Sequence, residues 1–161
     1  MSVTTKTGDD GKSRFGGRII EKDSELLETI GNVDELIALL GFVKMKKDVE
    51  MAKRIEKISE ELQKIMGVIS GYGPKEFTLD KEIEYMEKEI EKIENEEETI
   101  HKFLKTGNRL DELLNWCRTM VRRCERRVVS LGKKQQIDKD ILMYFNRLSD
   151  YLFMLSRKTK E

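Results

Sequence analysis

Proline and histidine each occur once in this chain and cysteine twice, and no apolar run is long enough to span a bilayer. With His101 alone and no Cys/His cluster, no zinc site is expected. Cys117 and Cys124 lie seven residues apart, about 10 Å along a helix axis. That is beyond the reach of a disulfide, so both read as small buried apolar residues in a reducing compartment. Net charge is missing too: Lys+Arg and Asp+Glu are both 31, a formal balance of +0. No global field therefore draws the chain to nucleic acid or to an anionic membrane. A signal or transit peptide is not expected, because informative sequence begins at Thr4 or Thr5. These features together point to a cytoplasmic protein.

What is present suits one domain spanning residues 1–161, with a core that must be economical. Hydrophobic residues make up 38% and charged residues 39% of the 161. The charge is unevenly placed. From Asp80 to Glu98 there are ten acidic and three basic residues, and from Arg118 to Lys134 seven basic and one acidic. The acidic run reads as a solvated helix face.

Residues 1–23 are rich in glycine and lack a periodic pattern, which predicts a loop. Beyond them, apolar residues recur at helical spacing in five segments. The first covers about Ser24–Lys47, with Leu36, Leu39, Leu40 and Val43. The second covers Val49–Ser70, with Ile55, Ile58, Leu62, Ile65 and Ile69, and Gly71-Tyr72-Gly73-Pro74 stops it. The third runs from Asp80 to about Lys105, the fourth from Arg109 to Leu131, and the last from Asp138 to Lys158. No segment shows a convincing two-residue alternation. The pattern predicts an all-α, antiparallel five-helix bundle over 24–158, preceded by a glycine-rich loop.

Three stretches carry residues suited to chemistry. Thr5-Lys6-Thr7-Gly8-Asp9-Asp10-Gly11-Lys12-Ser13, followed by Gly16-Gly17, offers close backbone approach, hydroxyl donors and cations for phosphates. It is not a Walker A loop, and the same residues also suit an unstructured tail. The run Arg118–Arg127 is divided by its own helical wheel. Cys117, Val121, Cys124 and Val128 form a buried stripe, Arg118, Arg122 and Glu125 one flank, and Arg123 and Arg127 the other, with Arg126 near the outer pole. Guanidinium groups on the mixed-charge flank match a triphosphate, although a solvated basic face has the same composition. In the third stretch, Asn146, Ser149, Asp150 and Phe153 share a face. Asn146 could offer an oxygen to Mg²⁺, or the polar residues could merely bridge helices.

In this order, the motifs closely resemble the PduO-type family of ATP:cob(I)alamin adenosyltransferases. The resemblance runs from Thr-Lys-Thr-Gly-Asp-x-Gly through Lys22-Asp23 and Gly31-Asn32-Val33-Asp34-Glu35-Leu36. It continues through Arg118-x-x-x-Arg122-Arg123-x-Glu125-Arg126 to Asn146-Arg147-Leu148-Ser149-Asp150. It implies a homotrimeric bundle that binds ATP at subunit interfaces and transfers the 5′-deoxyadenosyl group of ATP to cobalt, with cob(I)alamin as the nucleophile.

By the same resemblance, Thr5, Lys6, Thr7, Gly8, Asp9, Gly11, Ser13, Gly16 and Gly17 wrap the nucleotide. Lys22, Arg122, Glu125 and Arg126 complete that site, with Lys22 and Arg122 stabilising the leaving triphosphate and Asn146 near Mg²⁺. Asp34 and Arg118 match an ion pair near the corrinoid, Ser149 and Asp150 support the arginine helix, and the phenylalanine of the corrinoid pocket is either displaced to Phe103 or missing. A cobalamin reductase and an adenosylcobalamin-dependent enzyme are the implied partners. A non-catalytic ATP-binding, cobalamin-handling homologue is the alternative. Three differences from the family fall on the corrinoid side. Lys102–Gly107 replaces a Phe-Ile-Leu-Pro-Gly-Gly segment, Ile37 stands where Asn is usual, and the chain ends at Glu161 without the C-terminal extension of some members.

Overall fold

The apolar stripes become five helices in the computed structural model, which describes residues 8–45, 49–96 and 109–158. They are α1 (Glu25–Lys44), α2 (Val49–Ile69), α3 (Asp80–Glu96), α4 (Arg109–Gly132) and α5 (Lys139–Lys158), preceded by strands β1 (Lys12–Phe15) and β2 (Arg18–Glu21). Local chemistry sets several ends. Ser24 caps α1 by accepting from the Leu27 N–H at 3.4 Å, and the Asp138 carboxylate accepts from Asp140 N–H at 3.0 Å before α5. The part of the third helix expected beyond Glu96 lies outside the described residues.

The strands correct the expectation of a plain N-terminal loop. β1 and β2 pair antiparallel, with Lys12 opposite Glu21 and Phe15 opposite Arg18. The two-residue turn is Gly16-Gly17, at φ 55° and 74°. Positive φ at both central residues is what a type I′ hairpin turn requires, and glycine meets it without strain.

The helices pack side by side in the order α2–α1–α4–α5–α3, and ion pairs from α3 back to α2 complete the ring. The ion pairs give their directions. Glu28–Arg127 and Glu35–Arg123 set α1 against α4, and Lys44–Glu56 sets α1 against α2. Thr78 with Asp140 and Glu87 with Arg147 instead run α3 alongside α5 in parallel. A closed ring with an odd number of helices cannot alternate everywhere, so one neighbouring pair must be parallel. α2 meets α3 through Arg54–Glu89 at 2.5 Å and Lys57–Glu82 at 4.0 Å, and Arg54 also donates to the Tyr151 hydroxyl of α5 at 3.0 Å.

The interior is aliphatic, with Leu36, Leu40, Leu62, Ile65, Val121 and Leu148 fully buried alongside Phe145. Burial of each such side chain stabilises the fold by about 1.5–3 kcal/mol. α3 and α4 both pack on α5, while the ring order keeps them from being neighbours. An open groove therefore runs over the outward face of α5, walled by α3 and α4.

Candidate functional site

α4 divides its arginines as its helical wheel requires. Cys117, Val121, Cys124 and Val128 are all 0% exposed and turn the helix into the core. On the α1 side, Arg123 is bound to Glu35, and Arg127 meets Glu28 at 3.0 Å. On the α5 side, Arg118 and Arg122 face the groove. Arg118 Nε donates to the Asn115 side-chain oxygen at 2.8 Å. Among the described residues, Arg122 and Arg126 enter no ion pair or side-chain hydrogen bond. Two arginines are thus consumed structurally, while Arg122 presents an unpaired cation to the groove.

The groove encloses about 520 Å³. Glu87, Ile90, Glu91 and Glu94 line it from α3, and Arg147, Ser149, Asp150, Phe153 and Met154 from α5. At its rim, the Asn146 amide donates to Glu125 at 3.4 Å. The sequence expectations for Arg118, Arg122, Ser149 and Asp150 therefore converge on one cavity, with Glu125 and Asn146 beside it.

Two further groups are functional neighbours that sequence reasoning passed over. Arg147 donates to Glu87 at 2.6 Å and to the Asn146 side-chain oxygen Oδ1 at 3.1 Å, and lies 3.7 Å from Asp150. The hydrogen bond to Glu87 leads in raising its pKa, helped by the charges of Glu87 and Asp150 and opposed by partial burial. Its signal was its place inside the Asn-Arg-Leu-Ser-Asp motif. The acidic run of α3 also needs correcting. Glu87, Glu91 and Glu94 are not simply a solvated face, because they form the wall opposite the arginines.

Other expected site residues lie elsewhere in the chain. Lys22 Nζ donates to the Gly8 carbonyl at 2.5 Å, and Lys22 N–H to the Gly11 carbonyl at 2.9 Å. Gly8, Asp9, Gly11, Ser13, Gly16, Gly17 and Lys22 are thereby gathered around the hairpin, and none of them lines the groove. The hairpin leads into the start of α1, where Glu25 meets Lys134, just past the end of α4, at 3.1 Å. Arg122 is ten residues before Gly132, roughly 15 Å down that helix. Asp34 is exposed on α1, two residues from each of the buried pair Asn32 and Leu36, so it points about 160° away from Leu36 and out of the bundle. It makes no ion pair with Arg118 within the chain. Thr5, Lys6, Thr7 and Phe103 lie outside the described residues.

Among the described residues there is no group of three or more His, Cys, Asp and Glu that could hold an ion. No helix there is long and apolar enough to cross a membrane.

Comparison with known proteins gives this geometry a context. The model of the cobalamin adenosyltransferase family matches residues 3–159. The corrinoid adenosyltransferase of Bacillus subtilis is 34% identical, over 98% of this chain and 86% of its own length. Bovine corrinoid adenosyltransferase MMAB is 33% identical, over 98% of this chain and 70% of its own. A variant PduO-type ATP:corrinoid adenosyltransferase from Lactobacillus reuteri, solved in complex with cobalamin and ATP, aligns with a TM-score of 0.90 at 27% identity. That alignment covers 98% of this chain and 93% of the other. With nearly its whole length matched by sequence and by fold, the chain belongs to the cobalamin adenosyltransferase family.

Proposed function

We propose that this chain transfers the 5′-deoxyadenosyl group of ATP to the cobalt of cob(I)alamin, yielding adenosylcobalamin and triphosphate, at a site shared between the subunits of a homotrimer. The observation that carries the reading is the split on α4. Arg123 and Arg127 are bound to α1, whereas Arg118 and Arg122 are turned to the groove with Ser149, Asp150 and Phe153.

Cobalt(I) supplies the electron pair that forms the new Co–C5′ bond, and the C5′–O bond breaks with its pair leaving on triphosphate. No protein nucleophile is needed, and the chain has no suitable one among its thiols. Cys117 and Cys124 are 0% exposed, and burial pushes both thiols up to about 12. The protein's part is alignment and stabilisation of the departing charge. Arg122 is placed for that work because no carboxylate among the described residues pairs with it. Lys22, held beside the glycine loop, is the second cation.

The residues present suit a modest role toward Mg²⁺, which would help neutralise the triphosphate when bound. Glu125 and Asn146 stand together at the groove rim and offer carboxylate and amide oxygens. Phosphate and water oxygens would supply the rest of the shell.

The separation of the hairpin from the groove favours the shared site. With Lys22 and the glycines at one end of the bundle and Asp34 directed outward, a second subunit is needed to bring a loop to Arg122 and an acid to Arg118. The reaction needs cob(I)alamin delivered by a reductase, and its product suits an adenosylcobalamin-dependent enzyme in a reducing cytoplasm.

Anaerobic incubation with ATP, Mg²⁺, cobalamin and a strong reductant tests the reading. The expected result is the absorbance of adenosylcobalamin growing in proportion to enzyme. ATP binding without that product would leave the chain as a non-catalytic, corrinoid-handling module.

A further inference from the structure

The end of α2 presents one tyrosine to the N-terminal hairpin from a rigid mount. Gly71 adopts φ 80°, its N–H donates to the Val68 carbonyl at 3.0 Å, and the Tyr72 N–H donates to the Gly67 carbonyl at 2.8 Å. This pair of bonds is a Schellman cap, which fixes the path of the chain leaving the helix. Gly73 is equally constrained, since a Cβ there would lie 2.4 Å from Val68 Cγ2. The Tyr72 backbone is therefore held on both sides, although the residue is 57% exposed.

Its side chain reaches the hairpin turn. The ring meets Phe15 edge-on, with centroids 6.3 Å apart, and the hydroxyl donates to the Gly16 carbonyl. A Cβ on Gly16 would fall 1.7 Å from the Tyr72 hydroxyl oxygen, so the missing side chain is what makes the notch. Gly16 thus serves two demands at once: a positive φ for the turn and an opening for the tyrosine. Among the described residues, Tyr72 is the only side chain of the bundle that hydrogen-bonds to the hairpin.

We propose that Tyr72 is a positioning residue for the nucleotide: seated in the Gly16 notch, it holds the hairpin, and with it Gly8, Gly11 and Lys22, at the place from which they grip the triphosphate. The proposal rests on the reading that this segment binds ATP. Without the clasp, the hairpin's remaining tether among the described residues is the chain through β2 and Ser24, and the loop must be ordered anew each time ATP binds. That ordering cost falls on nucleotide affinity and not on the chemical step.

Tyr72→Phe retains the ring contact and removes the hydroxyl, and Tyr72→Ala removes both. Two measurements on the full chain test the clasp. The first is trypsin cleavage after Arg14 and Arg18 without nucleotide, with fragments identified by mass. The second is the set of steady-state constants. For Tyr72→Phe, cleavage at these sites and the KM for ATP should each rise about fivefold, the effect of one hydrogen bond of about 1 kcal/mol. The corrinoid KM, kcat and melting temperature should stay close to those of the unaltered protein. Tyr72→Ala should show the same pattern more strongly. Unchanged cleavage in both variants would overturn the clasp. Faster cleavage with an unchanged ATP KM would overturn the positioning role. Failure of the adenosyltransferase reading is seen separately, as an absence of turnover in the unaltered protein.

Discussion

Arg122 and Arg123 are adjacent in the chain yet belong to different parts of the molecule: Arg123 is bound to Glu35 on α1, and Arg122 lines the groove over α5 with no ion-pair partner among the described residues. A rotation of about 100° per residue is enough to separate an arginine paired to α1 from one turned to the groove. Arg122→Ala should lower kcat/KM for ATP by 10²-fold or more, since loss of one preorganised donor to a developing charge costs about 2.7–4 kcal/mol. Arg127→Ala removes an exposed pair with Glu28, worth about 0–1 kcal/mol of stability, and should leave kcat/KM within a few-fold. Steady-state kinetics of the two variants side by side decide it. Equal losses would refute the division of the helix.

Arg147 is expected to act on the groove through Glu87. Its guanidinium neutralises one member of an acidic wall that otherwise faces the anion, and it holds the Asn146 side-chain oxygen Oδ1. Arg147→Ala should raise the KM for ATP about tenfold, as unpaired Glu87 joins Glu91 and Glu94 in repelling phosphate. Adding Glu87→Gln to that variant should recover part of the loss. A double variant no better than Arg147→Ala would show that Arg147 matters for another reason.

The helices were legible because burial imposes one period over some twenty residues. The stripes at Leu36–Val43, Ile55–Ile69 and Cys117–Val128 gave position and facing together. The hairpin was not, because four-residue strands are too short to display alternation, and Ile19 and Ile20 straddle the sheet without a large apolar partner face. Its one clear mark was Gly16-Gly17 between two such stretches. Groove membership was legible on α4, where the mixed charge of Arg118, Arg122 and Glu125 pointed to one flank. On α3 it was not, since Glu87, Glu91 and Glu94 look like any solvated acidic face until the ring order places α4 across from them. Tyr72 could not be read at all, because its role depends on a notch 56 residues away.

The buried thiols imply a specific alkaline limit to stability. Burial raises Cys117 and Cys124 from an ordinary value of 9.0 to about 12. Below pH 9 both stay protonated in the folded and the unfolded chain, so they impose no pH dependence. Between about pH 9 and 12 the unfolded chain loses these protons while the folded chain keeps them, so stability falls as pH rises. The slope is about 1.4 kcal/mol per pH unit for each thiol. Urea titrations at pH 8 and 10 should show this decline, and a Cys117→Ala, Cys124→Ala protein should lose most of it. In the native protein at pH 8, neither thiol should react with an alkylating reagent until the bundle unfolds.

Asp34 and Arg118 offer a direct test of assembly, because neither meets the other within one chain. Asp34 is carried on the outward face of α1, and Arg118 on the groove flank of α4. If they pair between subunits, Asp34→Arg and Arg118→Asp should each place like charges together and weaken the trimer, while the double variant restores opposite charges in exchanged positions. Size-exclusion chromatography with light scattering should show smaller species for each single variant and recovery for the double. Turnover should follow the same order, since a groove without its neighbour's loop lacks part of the nucleotide site. Two single variants that remain trimeric, with losses that simply add in the double, would place Asp34 and Arg118 in separate environments.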